Sequence, residues 1–273
     1  ELDGWQILDG YAEDEVAPGG AGQILAPWPN RIRDGEYTFG GQRHALALSE
    51  PARHNAAHGL VRWMPWHAEE IAADRISVGC VLAAQPGYPW SLKLTTTWAL
   101  GPDGLHATHT ATNLAAQPCP FGLGLHPYLR LPEATVEDTL LTVPAMTRLT
   151  VDDRLIPDGE TKVEGTELDF TAPRPIGSSK LDNAFTDIVP GSDGVRLTGG
   201  GASAEVTVWA SEEFKWWQVF TGDTLTGARH RRSIAVEPMT CPPDAFRSGR
   251  DLITLSPGQT WSGSWGIRPV RPV

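Results

Sequence analysis

Three cysteines are all that this sequence of 273 residues contains, and their spacing matches no familiar framework. Cys80, Cys119 and Cys241 stand alone, with no Cys-x-x-Cys pair among them. An odd number of isolated cysteines argues against a disulfide-stapled secreted domain and against a zinc ribbon. A reducing compartment is the simpler interpretation, so we expect a cytoplasmic protein.

Long apolar runs and an excess of positive charge are missing as well. No run reaches the roughly 18 apolar residues that a membrane-spanning helix needs, and we expect no signal peptide. Lysine and arginine number 22 against 33 aspartates and glutamates, which gives a formal net charge of −11. Because binding to a phosphate backbone depends on clustered positive charge, neither nucleic acid nor a membrane is an expected partner.

Helical periodicity and nucleotide-binding motifs are also scarce. The sequence has no Gly-x-Ser-x-Gly elbow, no P-loop and no dinucleotide-binding glycine fingerprint. Serine hydrolases, NTPases and nicotinamide-dependent dehydrogenases therefore lose most of their support. Only residues 211–215 suit a short helical turn, because Ser211 is followed by two glutamates. We expect no helix longer than about three turns.

Alternation of apolar and polar residues, the period of a β-strand, is the dominant pattern. Apolar side chains recur at every second position in residues 76–82, 92–100, 105–111 and 261–267. The Gly-Pro-Asp-Gly sequence at 101–104 predicts a β-hairpin between the second and third of these runs. Many strands with short turns and no alternating helices predict an all-β fold, an antiparallel β-sandwich or barrel. We expect residues 1–273 to form a single domain, because no linker-like segment divides them.

Glu237 is the first candidate for catalysis. It ends the strand-like run 233–237, in which Ile234 and Val236 share one face and Glu237 points to the other. A proline-rich turn that begins at Pro238 is expected to end the strand. A single carboxylate held at the mouth of a strand suits a general base, and a strand-end carboxylate without a function is the alternative.

Four further polar residues are candidates, and each has a purely structural alternative. His126 lies in an apolar strand-like run, so it is either a hydrogen-bonded core histidine or a group that titrates near neutral pH. His58 ends a polar loop, Arg31 follows the stiff sequence Pro-Trp-Pro-Asn, and Asp182 precedes Asn183. These three could instead be a loop histidine, a surface arginine beside Asp34 and a turn aspartate. No third ligand is spaced to complete a metal site with the histidines, so we expect no metal.

Six segments, in order along residues 20–250, resemble motifs of the aldose 1-epimerase (galactose mutarotase) family. They are Asn30-Arg31 with Gly35 and Tyr37, Asn55 to Gly59, Asn113 to Tyr128, Leu181-Asp182 to Phe185, Trp217 to Gly222, and Glu237-Pro238 with Asp244 to Phe246. Each motif alone is weak, whereas six in the right order are specific. Phe220 stands where the family usually has tyrosine, and so little sequence precedes the first motif that we expect N-terminal strands to be missing.

The resemblance implies a galactose mutarotase-like antiparallel β-sandwich (supersandwich) and interconversion of the α and β anomers of an aldose, without a cofactor. By resemblance, Glu237 is the base that takes the proton of the C1 hydroxyl, and His126 is the acid that protonates the ring oxygen. Arg31, His58 and Asp182 would bind the sugar. The expected partner is a monosaccharide of the galactose or glucose class, and the protein is expected to be a monomer or a weak homodimer. With Glu237 ionised and His126 protonated, Glu237 would set the lower limb of a bell-shaped pH–rate profile and His126 the upper limb.

Three alternatives stay open. The basic cluster of Arg229, Arg231 and Arg232 fits a mutarotase of an anionic sugar, such as a hexose 6-phosphate or a sulfonated sugar. We rank neutral aldoses ahead of it, because only some of these arginines face one side of a strand. A non-catalytic sugar-binding module is the second alternative. A glycoside hydrolase, with Glu237 and Asp182 as its two carboxylates, is the third.

Overall fold

The computed structural model describes residues 6–132, 134–199 and 204–270. Within these ranges the chain forms 23 strands, and its helical segments are short. They are one α-helix, α1 (Ala245–Ser248), and the 3₁₀ segments Pro18–Gly20, Pro51–Arg53 and Gly227–Arg229. The all-β prediction is confirmed. The helical turn predicted at 211–215 is wrong, because this segment is a turn closed by the Phe214 N–H, which donates to the Ser211 carbonyl.

Eight strands form a first antiparallel sheet, sheet A. They are β1 (Ile24–Leu25), β11 (Gly124–Leu125), β12 (Tyr128–Leu129), β14 (Ala145–Val151), β15 (Pro157–Lys162), β17 (Asp182–Ile188), β20 (Trp216–Phe220) and β21 (Ile234–Met239). Their order across the sheet is β1-β11-β21-β20-β17-β14-β15, and β12 also pairs with β21.

Nine strands form a second antiparallel sheet, sheet B. They are β6 (His67–Ile71), β7 (Arg75–Leu82), β8 (Leu92–Gly101), β9 (Gly104–Asn113), β13 (Leu140–Thr142), β16 (Arg174–Pro175), β18 (Val195–Thr198), β19 (Glu205–Ala210) and β23 (Thr260–Val270). Their order is β16-β13-β18-β19-β23-β9-β8-β7-β6. The predicted hairpin is confirmed, since β8 and β9 pair from Leu92 opposite Asn113 to Gly101 opposite Gly104.

Three two-stranded ribbons complete the described part of the fold. They are β2 (Arg31–Arg33) with β5 (Asn55–Ala57), β3 (Glu36–Phe39) with β4 (Gln42–Ala45), and β10 (Cys119–Phe121) with β22 (Ile253–Leu255). In the described ranges, no helix is both long and apolar enough to span a membrane.

The two sheets contribute to one apolar core, and the strand period decides which side chains enter it. Val219 and Val236 are cross-strand partners on β20 and β21, and both are fully buried in the core cluster. Burial of such a side chain contributes about 1.5–3 kcal/mol. Their sequence neighbours Gln218 and Glu237 also face each other, on the opposite side of sheet A. Core packing on one face therefore fixes the pair of polar side chains on the other.

Strand β21 does not end at Pro238, as the sequence suggested, but continues to Met239. The Val236 N–H donates to the Pro127 carbonyl, away from β20. By the period of a strand, the nitrogen of Pro238 faces the same way, so the ladder between β20 and β21 loses no hydrogen bond. Proline is tolerated here because its missing donor lies on the side where β21 is only partly paired.

Candidate active site

A cavity of about 330 Å³ opens on the polar face of sheet A, beside the β2–β5 ribbon. All five residues that the sequence singled out line it: Arg31, His58, His126, Asp182 and Glu237. They come from five separate stretches of the chain, and the pairing of β11, β12, β17, β20 and β21 brings three of them together. The cavity is also lined by Asn30, Glu50, Arg62 and Gln218, which sequence reasoning did not single out.

Glu237 and His126 are in direct contact. His126 follows β11 and precedes β12, and both strands pair with β21, which carries Glu237. His126 Nε2 lies 3.3 Å from Glu237 Oε1, and the two side chains are only 6% and 3% exposed. The His126 ring stacks on Tyr128 with 5.0 Å between ring centroids. Gly20 lies against the ring, where a Cβ would come within 3.0 Å of His126 Cδ2, so a side chain there would displace the imidazole.

Burial moves the pKa values of this pair in opposite directions. Desolvation raises the pKa of Glu237 well above its usual value, and the charge of Asp182 adds to the effect, while Arg31 opposes it. Desolvation lowers the pKa of His126 to about 4. Both shifts favour the uncharged form of each group, a protonated carboxyl and a neutral imidazole, whereas the resemblance calls for an ionised Glu237 and a protonated His126. Within the described residues, Glu237 Oε2 has no hydrogen-bond partner, so this oxygen can accept a proton from a ligand.

Asp182 and Gln218 form a second polar pair beside Glu237. Asp182 begins β17, and Gln218 lies opposite Glu237 on β20. Gln218 Nε2 donates to Asp182 Oδ1 at 2.6 Å, which fixes the orientation of the carboxylate. Gln218 was missed at the sequence level, although a signal for it exists. The alternation with the core residue Val219 places Gln218 on the cavity face.

Arg31 is clamped by Glu50, not by Asp34, and is not a surface residue. Arg31 Nε donates to Glu50 Oε2 at 2.8 Å, and Nη2 donates to Oε1 at 3.1 Å, a bidentate ion pair. Asn55 Nδ2 donates to the same carboxylate at 3.2 Å. Burial alone would lower the pKa of Arg31, but the hydrogen bonds that it donates to Glu50 and the charges of nearby carboxylates outweigh burial and raise the pKa. The guanidinium therefore enters the cavity as a fixed positive charge.

His58 follows the ribbon strand β5 and completes the wall opposite His126. Its backbone N–H donates to the Asn30 carbonyl at 2.8 Å, and its φ of 64° is in the left-handed region. The two imidazole rings lie 5.8 Å apart, centroid to centroid. Desolvation lowers the pKa of His58 well below its usual value, and the charges of His126 and Arg31 add to the shift. His58 therefore lies in a loop but lines the cavity, where its lowered pKa favours the neutral imidazole, and it is not a surface histidine.

The basic cluster at 229–232 lies outside the cavity and is neutralised by carboxylates. Arg229 pairs with Glu15 at 3.1 Å, Arg231 with Glu137 at 2.6 Å and Asp223 at 2.9 Å, and Arg232 with Asp9 at 3.0 Å. None of these arginines lines the cavity. The hypothesis that this arginine cluster binds an anionic sugar in the cavity is therefore wrong.

Arg62 is a different case. It lines the cavity, is half-buried, and has no carboxylate oxygen within 4.0 Å among the described residues. Desolvation lowers its pKa, and its charge also lowers the pKa values of His58 and His126. Of the two arginines in the cavity, Arg62 is the one whose charge is left uncompensated. Sequence reasoning missed it, because nothing in the local sequence distinguishes it from a surface arginine.

The arrangement combines the carboxyl–imidazole pair of Glu237 and His126 with hydrogen-bonding groups that are fixed around it. Such a pair can remove a proton from one oxygen of a ligand and deliver a proton to another. In the described ranges, no group of three or more histidine, cysteine, aspartate or glutamate side chains is placed to hold a metal ion.

The sequence and the fold of this chain are similar to those of known proteins. The aldose 1-epimerase family model matches residues 2–268. The chain is 31% identical over 257 residues to the uncharacterized protein YihR of Escherichia coli K12, covering 94% of this chain and 81% of that protein. It is 30% identical over 190 residues to human galactose mutarotase, covering 66% of this chain and about half, 52%, of the human protein. The galactose 1-epimerase of Lactobacillus acidophilus has the same fold, with a TM-score of 0.83, 21% identity, and coverage of 100% of this chain and 87% of that one.

Proposed function

The chain belongs to the aldose 1-epimerase family, and we propose that it is a mutarotase that interconverts the α and β anomers of an aldose by opening and closing the sugar ring. The observation that carries the proposal is the 3.3 Å contact between His126 and Glu237 inside a polar cavity. The cavity volume of about 330 Å³ is at the lower end for small-molecule sites, which suits a monosaccharide.

The reaction needs two proton transfers, and the pair supplies both. Glu237 takes the proton of the C1 hydroxyl while His126 gives a proton to the ring oxygen, and the C1–O5 bond breaks to give the open-chain aldehyde. The C1–C2 bond rotates. His126 then takes back the proton from the O5 hydroxyl as O5 attacks the other face of C1, and Glu237 returns its proton to O1. The pair ends in its starting state, so the cycle consumes no cofactor and needs no external proton carrier.

The productive form, with Glu237 ionised and His126 protonated, carries the same number of protons as the resting form with the proton on Glu237. Passage between them moves one proton across the 3.3 Å contact and changes no net charge. The positive charge of Arg31 lowers the pKa of Glu237 and so favours the ionised carboxylate. We propose that Arg31, His58 and Asp182 bind sugar hydroxyls, with Gln218 holding Asp182 in position.

An anionic aldose is the second candidate substrate, and Arg62 is the observation that favours it. A phosphate, sulfonate or carboxylate group on the sugar would provide the counter-charge that Arg62 lacks among the described residues. Charge-assisted hydrogen bonds from arginine to such groups are strong and specific. Neutral aldoses stay first, because the ring-opening chemistry needs no anionic substituent.

Anomer exchange measured by polarimetry and NMR on pure anomers tests both candidates. The panel contains galactose and glucose, hexose 6-phosphates and a 6-sulfonated hexose. We expect acceleration of at least one neutral aldose, and Arg62→Met should leave neutral substrates within about threefold of the wild-type kcat/KM. If an anionic aldose is the better substrate and Arg62→Met lowers its kcat/KM about 100-fold, the second candidate replaces the first.

Two other outcomes would refute the proposed activity. Sugar binding without acceleration of any anomer would favour a non-catalytic binding module. Release of reducing sugar from a glycoside would favour a hydrolase, for which Glu237 and Asp182 would be the two carboxylates. A cytoplasmic location and a monomeric or weakly dimeric state stay predictions.

A further inference from the structure

One arginine of the basic cluster, Arg231, is more deeply buried than its neighbours. Its side chain is 11% exposed, whereas those of Arg229 and Arg232 are 21% and 36% exposed. Its φ of 46° lies in the left-handed region, which is uncommon for arginine and persists only where the surroundings fix it. Arg231 is therefore held in place by the fold and is not a solvated surface charge.

The guanidinium of Arg231 donates to four acceptors. Nε donates to Glu137 Oε1 at 2.6 Å, and Nη1 donates to Asp223 Oδ1 at 2.9 Å. Nη1 also donates to the Ser179 carbonyl at 3.1 Å, and Nη2 donates to the Gly177 carbonyl at 2.8 Å. The planar fork of arginine reaches these acceptors together, and the compact ammonium group of lysine cannot reproduce that fork.

The two carbonyls belong to the connection between β16 and β17, a few residues before Asp182. At the end of this connection, the Leu181 N–H donates to Thr221 Oγ1, and the Leu181 carbonyl accepts from the Thr221 N–H. Thr221 Oγ1 in turn donates to Asp223, the carboxylate that pairs with Arg231. Arg231 therefore holds the approach to Asp182 directly, through the carbonyls, and indirectly, through Asp223.

Arg231 also links the strands that carry the two carboxylates of the cavity. It lies three residues before β21, the strand of Glu237. Phe220, at the end of β20, is opposite Asp182 on one side and Ala235 on the other, so β17 and β21 begin at the same edge of sheet A. The side chain of Arg231 joins the starts of these two strands across the end of β20.

We propose that Arg231 is a positioning residue, which holds the start of β17 so that the Asp182 carboxylate stays beside Glu237. The inference rests on the proposed mutarotase function, in which Asp182 binds sugar hydroxyls. Arg231 does not line the cavity, so it acts on the sugar only through Asp182. One member of the arginine cluster thus serves the site without contact to the substrate.

The pKa of Glu237 shows whether Asp182 is in place. Burial raises this pKa most, the charge of Asp182 adds to the rise, and Arg31 opposes it. Displacement of Asp182 would therefore lower the pKa of Glu237. Loss of the positive charge of Arg231 would by itself favour the protonated carboxyl and raise the same pKa. The sign of the shift separates displacement of Asp182 from a direct effect of charge, since His126, in contact with Glu237, is unchanged.

Arg231→Met tests the proposal in two measurements. NMR titration of the Glu237 side-chain carboxyl needs no substrate, and we expect the pKa to fall. In anomer-exchange kinetics, KM should rise about tenfold with kcat within about threefold of wild type, because a hydrogen bond to Asp182 stabilises bound sugar and transition state alike. Asp182→Asn should reproduce both effects. The double variant should show little further change, since both substitutions act through one carboxylate.

Arg231→Lys covers the case in which Arg231→Met does not fold. It keeps a positive charge between Glu137 and Asp223, but it cannot hold the two backbone carbonyls as the guanidinium does. We expect the pKa of Glu237 to fall in this variant as well. Arg229→Met is the matched control, because it removes an arginine of the same cluster whose partner is Glu15. It should leave the pKa of Glu237 unchanged and KM within about twofold of wild type.

Each other outcome decides against the proposal. A pKa of Glu237 that is unchanged or raised in either folded Arg231 variant would overturn it. Effects of Arg231→Met and Asp182→Asn on KM that simply add in the double variant would also overturn it, and both results leave the proposed function intact. A wild-type protein that converts no aldose would instead refute the proposed function, and the titration would still show whether Arg231 holds Asp182.

Discussion

Replacement of Glu237 by glutamine separates catalysis from stability at a single side chain. Glu237 lies in contact with His126 and opposite Gln218, and it is almost fully buried. Glutamine has the same shape and keeps one oxygen acceptor, but it cannot take a proton. The other carboxylate beside it, Asp182, is held by Gln218 and is poorly placed to substitute for the base.

The expected loss of activity follows from the role of a general base. General acid–base catalysis typically contributes about 10²–10⁴-fold, so we expect kcat for anomer exchange to fall about 10³-fold in Glu237→Gln. This corresponds to about 4 kcal/mol of transition-state stabilisation. KM should change little, because the variant keeps the hydrogen bonds that bind the ground state. Anomer exchange by NMR and sugar binding by calorimetry measure the two quantities separately.

Thermal stability should increase in Glu237→Gln, whereas activity decreases. Because burial raises the pKa of Glu237 above its usual 4.5, the folded wild type binds this proton more tightly than the unfolded chain does. The stabilisation that this proton gives to the folded wild type is complete below pH 4.5 and is lost as the pH rises through the folded-state pKa of Glu237. Glutamine does not titrate, so the Tm of the variant minus that of the wild type should grow from pH 5 to pH 8. Each 1 kcal/mol raises Tm by about 2–4 °C.

Two results would refute this reasoning. Near wild-type kcat in Glu237→Gln would remove the base from the mechanism. A Tm difference that shrinks between pH 5 and pH 8 would show that the carboxyl is stabilised as an anion, against the effect of burial.

The remaining predictions concern the partners of Glu237. His126→Asn should lower kcat by a similar factor with little change in KM, and a kcat within tenfold of wild type would contradict its role as the acid. The pH profile of kcat/KM should be bell-shaped, with limbs reversed from the sequence-based expectation. Below a pKa of about 4, His126 is protonated in addition to Glu237 and no base remains, whereas above the raised pKa of Glu237 no proton remains for the acid. Loss of the acid limb in His126→Asn checks this assignment. Glu50→Gln should lower kcat/KM about tenfold, because Arg31 loses the bidentate ion pair that fixes its position. It should also shift the alkaline limb to lower pH, because an uncompensated Arg31 favours ionised Glu237. An unchanged profile would reduce Glu50 to a structural role.

Much of the fold, and five of the residues that line the cavity, could be predicted from the sequence. Strand alternation gave the β8–β9 hairpin, since each apolar side chain that enters the core forces its neighbours to face away. The same alternation, applied to Val219 and Val236, explains why Gln218 and Glu237 meet on the cavity face. The order of the family-like motifs identified His58, Arg31 and Asp182 as candidate site residues. Their roles as sugar ligands stay predictions.

Charge pairing could not be predicted in this way, because the partners come from distant segments. Arg231 is neutralised by Glu137, 94 residues away along the chain, and Arg229 by Glu15, 214 residues away. A cluster of arginines in the sequence therefore became a set of ion pairs outside the cavity. Arg62, which has no charged neighbour in the sequence to draw attention to it, lines the cavity and has no carboxylate oxygen within 4.0 Å among the described residues.

The position of the proton in the Glu237–His126 pair lies equally beyond local sequence. Residue types identify a carboxyl and an imidazole as a possible acid and base, but their pKa values depend on how much water the fold removes. Here both side chains are less than 10% exposed, and burial disfavours the charged form of each. Burial therefore favours the neutral arrangement, with the proton on Glu237. The ionised arrangement that the chemistry requires is reached only by proton transfer within the pair, aided by the fixed charge of Arg31. In the proposed mechanism, the clamp between Glu50 and Arg31 sets how easily the pair becomes catalytically competent, although neither residue exchanges a proton with the sugar.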